Sequence, residues 1–160
     1  MRKAFVLMAL ATPVVASAQD APPPTTPEYD LAWHNRQQAA VAELRQEDGW
    51  RAAEGGVKFR RIAGDGTGAR PSVDDTVTVH YAGRLLDGTE FDSSYARGEP
   101  AEFPLSRLVK AWQVAIPAMG VGDTIELYAP ADMAYGPAGR GPIPGNATLV
   151  FKVELLGIAE

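Results

Sequence analysis

The residues most able to do chemistry in this 160-residue chain are six aromatic rings with two charged side chains among them. The charged residues are Asp92, directly after Phe91, and Arg97. From Ala134 to Gly145 seven of twelve residues are Gly or Pro, and so long and stiff a connection usually borders a site. The rings could pack as an ordinary core, but the two charges and the loop favour an apolar pocket with a few polar groups. The six rings are Tyr81, Phe91, Phe103, Trp112, Tyr135 and Phe151.

Three other chemistries are disfavoured by the sequence. Residues 64–69 (GDGTGA) match the spacing of a dinucleotide fingerprint, but a predicted strand follows where that fingerprint requires a helix. The two histidines, His34 and His80, are predicted to be solvated surface residues, and a metal site without them would be almost entirely carboxylate. Ser93 and Ser94 lack the spacing of a nucleophile elbow, which argues against a hydrolase. We therefore predict no metal and no cofactor.

The length and composition predict a single domain of modest size with additional segments outside it. The chain has no cysteine, which excludes disulfides and thiolate chemistry. Its net charge is -5, from 15 Lys and Arg against 20 Asp and Glu, and its basic residues are scattered. A nucleic-acid partner is therefore not predicted.

The amino terminus is predicted to be a secretory signal peptide over residues 1–18. Arg2 and Lys3 precede a mainly apolar stretch of about a dozen residues, and residues 16–18 (ASA) match a cleavage site. A membrane-spanning helix would need about 20 apolar residues. Cleavage after Ala18 predicts a periplasmic or secreted protein with no membrane span once the signal is removed.

Two segments are predicted between the signal and the main domain. Residues 19–27 form a Pro-rich linker. Residues 28–56 form a helical extension, in which a helix of about 20 residues ends at Gly49 because no Gly or Pro interrupts residues 28–48. This helix either packs on its own domain or acts as a dimerisation or client-binding arm, so a monomer or a helix-mediated dimer is expected.

Residues 57–160 are predicted to form the main domain. Apolar residues alternate with polar ones in several short runs, and Asp87-Gly88 is typical of a hairpin turn. The expected fold is α+β, with a curved antiparallel sheet of about five strands wrapped around one short helix. Strands are expected at residues 57–62, 76–81, 124–128 and 148–155, with a further strand paired across the hairpin turn at residues 85–89, and the helix is expected at residues 108–115.

Five motifs occur in order over about residues 57–158. They are residues 77–81 (VTVHY), 87–94 (DGTEFDSS), 119–123 (MGVGD), 134–136 (AYG) and 143–151 (IPGNATLVF). With these motifs the sequence resembles the FKBP-type peptidyl-prolyl cis-trans isomerases, in particular the exported bacterial branch. The resemblance implies an FKBP-like roll with a hydrophobic cleft between sheet and helix.

The resemblance also implies a role for each residue of that cleft. Trp112 would form the floor, the Val109 N–H would donate to a peptide carbonyl, and Asp92 would be held by Tyr81 and Arg97. The residues implied to be catalytic are Tyr81, Phe91, Asp92, Trp112, Tyr135 and Phe151. Those implied to bind substrate are Arg97, Phe103, Leu108, Val109 and Ile143.

The function implied is cis-trans isomerisation of X-Pro bonds in proline-containing segments of exported proteins, which would assist their folding. Macrolide inhibitors are implied as further ligands of the same cleft. The alternative is a peptide-binding chaperone or assembly module on the same fold with little turnover. Ala101 and Arg140 stand where many members have an aromatic residue and a histidine, and these two positions bear on peptide preference and macrolide affinity.

Overall fold

One antiparallel sheet runs through residues 31–159, the part of the chain described by this computed structural model. Its strands are Arg51–Ala52 (β1), Lys58–Ala63 (β2), Thr76–Leu85 (β3), Glu90–Ser93 (β4), Ala101–Pro104 (β5), Thr124–Ala129 (β6) and Leu149–Ala159 (β7). The order is β1-β2-β6-β7-β3-β4, and β5 pairs with β3 beside this path. The sheet is open, and its long strands β3 and β7 pair near its centre from Thr76↔Ala159 to Leu85↔Leu149.

Alternation of apolar residues gives the sheet one buried face. On β3, Val77, Val79 and Tyr81 are buried, and on β7 the same is true of Phe151 and Val153. A period of two places such residues on one side of a strand, so their burial needs a covering element. The predicted α+β class with an antiparallel sheet and a short helix is confirmed.

The covering element is helix α3, Lys110–Ala115, preceded by helices α1 (Leu31–Ala42) and α2 (Ser94–Arg97). Ala111, Trp112 and Ala115 on α3 are buried. The helix passes into a 3-10 turn, Ile116–Ala118, that contains Pro117. Proline lacks the N–H that a further α-helical turn needs, so the helix ends here as the sequence predicted.

Two strands in the described residues were not predicted. β1 has two residues and β5 has four, too few for a recognisable alternation. β1 pairs with β2, so the sheet begins before residue 57, where the main domain was predicted to start. Trp50, directly before β1, is 5 % exposed and lies edge-on to Tyr128 with ring centroids 5.2 Å apart. β5 pairs with β3 through Val79↔Ala101 and three further residue pairs.

The amino-terminal helix ends earlier than predicted. α1 ends at Ala42, not at Gly49, and Arg45 has extended backbone angles, φ -104° and ψ 148°. A separate 3-10 turn at Gln46–Asp48 then leads to Gly49, whose φ is 85°. Burial of Trp50 against the sheet outweighs the helix propensity of residues 43–48. The long uninterrupted helix was therefore a wrong prediction.

α1 is attached to the domain at Gln37, which is buried, and Trp33 of the same helix packs against the core. Gln37 Oε1 accepts a hydrogen bond from the Thr148 N–H at 2.9 Å, and the Gln37 carbonyl accepts one from the Thr148 hydroxyl at 2.9 Å. Among the two interpretations of this helix, the contact agrees with packing on its own domain.

The loop between β2 and β3 is anchored by Asp123, which is 1 % exposed. Its carboxylate accepts hydrogen bonds from the N–H groups of Gly66 and Gly120, each at 2.9 Å, and from Arg61 Nε at 3.1 Å. Burial alone raises the pKa of Asp123, but these hydrogen bonds and the Arg61 charge outweigh it and hold the pKa below its usual value. Residues 64–69 are thus a loop leading toward a strand, as the sequence predicted.

The predicted signal peptide, its cleavage site after Ala18 and the linker at residues 19–27 lie outside the described residues. Within residues 31–159 none of the helices combines the length and the apolarity that crossing a bilayer requires.

Candidate functional site

A cleft of about 400 Å³ opens between α3, the sheet and the loop that joins β6 to β7. Its lining is mainly aromatic and apolar, with Asp92 and Arg140 as the charged members. The lining residues are Tyr81, Phe91, Asp92, Phe103, Leu108, Val109, Trp112, Tyr135, Arg140, Gly141, Pro142, Ile143 and Phe151.

Trp112 is the centre of this aromatic lining and is only 4 % exposed. Tyr81 and Phe151 stand edge-on to it, with ring centroids at 5.3 Å and 5.5 Å, and Phe103 does so at 6.4 Å. Edge-to-face contacts of this kind favour one arrangement of the rings over others. The indole N–H makes no hydrogen bond within the described residues, although it is buried.

Gly83 on β3 allows two further rings to meet beside the cleft. Phe91 and Phe151 lie at 90° with centroids 5.8 Å apart. A Cβ on Gly83 would lie 2.6 Å from Phe91 Cζ and 2.9 Å from Phe151 Cε1, closer than atoms pack. Sequence analysis missed this residue, yet an isolated glycine inside a strand is a known sign of close approach.

Tyr81, Asp92 and Arg97 form a closed hydrogen-bonded triangle at the cleft. The Tyr81 hydroxyl donates to Asp92 Oδ2 at 2.5 Å, and Arg97 donates to Asp92 Oδ1 at 2.5 Å and to the Tyr81 oxygen at 3.0 Å. Partial burial alone raises the pKa of Asp92, but the hydrogen bonds from Tyr81 and Arg97 outweigh it and hold the pKa below its usual value. Asp92 is therefore a carboxylate at neutral pH.

The same contacts make Tyr81 a poor acid. Burial and the hydrogen bond to Asp92 raise the pKa of its phenol. The hydrogen bonds to Tyr81 and Asp92 likewise raise the pKa of Arg97. The three groups keep fixed charges through the neutral range, so the triangle orients its members and is unsuited to proton transfer.

The β3–β4 hairpin sets the positions of these groups. Gly83 pairs with Asp92 across the hairpin, and the Ser94 hydroxyl accepts a hydrogen bond from the Tyr81 N–H at 2.7 Å. His80 Nδ1 lies 2.9 Å from the same hydroxyl, and the His80 ring stacks on Tyr95 at 4.7 Å. His80 is thus half-buried, and its prediction as a solvated residue was wrong because α2 packs against β3.

The loop between β6 and β7 brings Tyr135, Arg140 and Ile143 to the rim of the cleft. Arg140 and Ile143 exchange two backbone hydrogen bonds, at 3.0 Å and 2.9 Å. The Arg140 guanidinium carbon lies 5.7 Å from the centroid of the Tyr135 ring. A Cβ on Gly139 would lie 2.2 Å from the Ile143 oxygen, so this closed loop requires glycine there.

The arrangement offers binding and orientation. Neither the Val109 N–H nor the Tyr135 hydroxyl donates to another group in the described part of the chain, so both are available to a ligand. Residues 31–159 contain no cluster of His, Cys, Asp and Glu that could hold a metal ion. The cleft can desolvate an apolar segment and hold its carbonyl groups.

The sequence profile described as FKBP-type peptidyl-prolyl cis-trans isomerase matches residues 68–156, more than half of the chain. This chain belongs to that family.

Named FKBP-type relatives agree with the assignment. The FKBP-type 22 kDa peptidyl-prolyl cis-trans isomerase of Escherichia coli K12 is 49% identical over 119 residues, which are 74% of this chain and 57% of that protein. The FKBP-type peptidyl-prolyl cis-trans isomerase FkpA of Aeromonas hydrophila is 46% identical over 120 residues, 75% of this chain and 44% of that protein. The chain spans about half the length of these curated relatives.

Solved FKBP-type structures share the fold. A peptidyl-prolyl cis-trans isomerase from Pseudomonas syringae pv. tomato superimposes with a TM-score of 0.74 at 31% identity, over 81% of this chain and 95% of that one. Escherichia coli FkpA gives a TM-score of 0.69 at 38% identity, over 78% of this chain and 60% of that one.

Ten of the eleven residues that the FKBP resemblance implied line the cleft. The eleventh, Arg97, contacts Asp92 and Tyr81 from outside the lining. Arg140 had been noted only as a departure from the family, and Gly141 and Pro142 were not singled out within their loop. The Gly- and Pro-rich composition of their loop is the sequence feature that could have identified these three residues as part of the site.

Proposed function

We propose that this protein catalyses cis-trans isomerisation of peptide bonds that precede proline. The observation that carries the proposal is a ring-lined cleft of about 400 Å³ whose carboxylate is fixed by Tyr81 and Arg97. Such a cleft suits a reaction in which no covalent bond breaks and no proton moves.

Desolvation is the first contribution to catalysis. Rotation about an X-Pro bond has a barrier of about 18 to 20 kcal/mol because the planar amide is stabilised by resonance. The planar amide has the larger charge separation, so transfer into an apolar cleft destabilises it more than the twisted form. Trp112, as the floor of the cleft, would receive the prolyl ring.

Fixed donors are the second contribution. The Val109 N–H would hold the carbonyl after the prolyl ring, and the Tyr135 hydroxyl would hold the carbonyl of the residue before proline as it leaves the amide plane. Donors that bind the twisted form more tightly than the planar one raise kcat. A ten-thousandfold gain requires only about 5.4 kcal/mol. Asp92 would act as an orienting charge.

The substrates proposed are proline-containing segments of exported proteins. The signal-like residues 1–18 support export. Among the relatives, one from Legionella longbeachae bears the name "Outer membrane protein MIP" and is 48% identical over 106 residues. Macrolides that mimic a prolyl segment would compete for the same cleft. Fractionation of cells that express the tagged full-length protein tests the location, and a wholly cytoplasmic distribution contradicts export.

The activity is tested with a short X-Pro peptide whose cis-trans exchange is followed by NMR, with and without a macrolide. We expect acceleration by the protein and its loss in Asp92→Val and Tyr135→Ala that remain folded. Tight peptide binding without acceleration would instead favour the chaperone or assembly module. Unchanged turnover in both variants would remove the two residues from the site.

A monomer with α1 packed on its own domain is proposed in place of a helix-mediated dimer. The Gln37–Thr148 hydrogen bonds support it. Gel filtration coupled to light scattering tests the proposal, and a dimer mass that is lost when residues 19–56 are deleted would contradict it.

A further inference from the structure

Arg140 is the charged group of the cleft lining that has no ion-pair partner among residues 31–159. The other charge in the lining, Asp92, is paired with Arg97 at 2.5 Å. Arg140 is exposed at the rim, and its guanidinium contacts the Tyr135 ring at 5.7 Å from the centroid. The cleft therefore presents one uncompensated positive charge although the chain as a whole carries -5.

The backbone that carries this charge is held in one conformation. Two hydrogen bonds with Ile143, at 3.0 Å and 2.9 Å, hold the Arg140 backbone, and the Asn146 N–H closes the loop on the Gly136 carbonyl at 2.8 Å. Gly145 adds to the rigidity, since a Cβ there would lie 2.0 Å from the Pro137 oxygen. Because this loop is already ordered, pairing of the guanidinium with a ligand requires ordering of the Arg140 side chain and not of the loop backbone.

We propose that Arg140 is a specificity-determining residue that favours an acidic side chain directly before proline. The inference rests on the proposed function, in which the neighbouring Tyr135 hydroxyl holds the carbonyl of that residue. A Glu or Asp side chain there would extend along the rim toward the guanidinium, which can bind a carboxylate with two parallel hydrogen bonds. A Lys at the same place would meet like charge.

The test compares kcat/KM for three peptides that differ only in the residue before proline, which is Glu, Gln or Lys, with exchange followed by NMR. Since the charge is exposed, we expect the Glu peptide to exceed the Gln peptide by about two- to fivefold at low salt. The Lys peptide should fall below Gln. Near 1 M salt, where the screening length is about 3 Å, the three values should converge.

Variants assign the preference to one side chain. Arg140→Gln should remove the Glu preference, and Arg140→Glu should reverse it in favour of Lys. Arg51→Gln is the matched control, because Arg51 is an exposed arginine on β1, at the opposite edge of the sheet from Asp92 on β4. It makes the same change of net charge and should keep the wild-type order of the peptides.

Equal values for Glu and Gln in the wild type at low salt, or a Glu preference that survives in Arg140→Gln, would overturn the inference. Both results leave the isomerase activity itself intact, because the Gln peptide is still turned over. If none of the three peptides is accelerated, the proposed function fails and the inference fails with it.

Discussion

The Phe91 ring packs directly against Gly83 and takes its position only because Gly83 has no side chain. The Phe91 Cζ atom occupies space 2.6 Å from where a Cβ on Gly83 would be. Phe91 lines the cleft and stands edge-on to Phe151, so the width of the cleft depends on a strand position that is itself no part of the lining.

Gly83→Ala should therefore lower both activity and stability. The added methyl group would push the Phe91 ring away from β3, and we expect kcat/KM for an X-Pro peptide to fall about tenfold, with a stability loss of about 1 to 3 kcal/mol from overpacking. Gly157→Ala on β7 is the matched control, since its Cβ would meet Thr78 at an ordinary 3.9 Å. Equal activity in the two variants would contradict this account of Phe91.

The Tyr81–Asp92 hydrogen bond should couple these residues in stability and activity. Hydrogen bonds to charged groups contribute about 1.5 to 3 kcal/mol, but the Asp92 side chain is 44% exposed, so we expect a coupling of about 1 kcal/mol. A double-mutant cycle of Tyr81→Phe and Asp92→Asn, measured by urea unfolding, gives this value directly. Additive losses would show that the two side chains act independently.

Activity should also resist acid. Because hydrogen bonds from Tyr81 and Arg97 hold the pKa of Asp92 below its usual value, its carboxylate persists down to that lowered pKa. We expect kcat/KM to be flat from pH 8 to about pH 5, where an unperturbed aspartate with a pKa of about 3.9 is also ionised, and to fall only below that range. A drop centred between pH 5 and pH 7 would exclude Asp92 as the controlling group.

Asp123 should stabilise the fold in a pH-dependent manner. Its folded pKa is lowered, so its contribution is present above the unfolded value of about 3.9 and is lost as the pH falls through the folded pKa. Asp123→Asn should cost about 2 kcal/mol at pH 7 by urea unfolding, and less below pH 4. Asp74→Asn, at an exposed position in the same connection, is the control and should be near neutral. A cost at pH 3 as large as that at pH 7 would refute the ionic origin.

The attachment of α1 can be tested at Gln37. Replacement by Ala leaves the buried Thr148 N–H without its acceptor, which costs about 1 to 3 kcal/mol. Hydrogen exchange in α1 should then accelerate, whereas Gln38→Ala, exposed on the same helix, should leave it unchanged. Equal protection in the two variants would mean that other contacts hold the helix.

Much of this molecule could be predicted from its sequence, for identifiable reasons. The alternation in residues 76–81 and 148–155, together with Asp87-Gly88, indicated long strands and a hairpin because period and turn chemistry are local properties. Two-residue β1 and the early end of α1 could not be predicted, since both depend on the burial of Trp50 against Tyr128 across the sheet. That Arg140 has no ion-pair partner among residues 31–159 likewise could not be predicted, because it depends on which residues lie near it in the folded chain.

The central place of β7 in the sheet has a consequence for biosynthesis. Among the seven described strands it is synthesised last, yet it lies between β6 and β3 and carries Phe151. Before β7 pairs, strands β1, β2 and β6 are not joined to β3, β4 and β5, and the cleft lacks Phe151. Pairings between residues so far apart in sequence form slowly. The proposed isomerase activity would therefore appear only after β7 has joined β6 to β3.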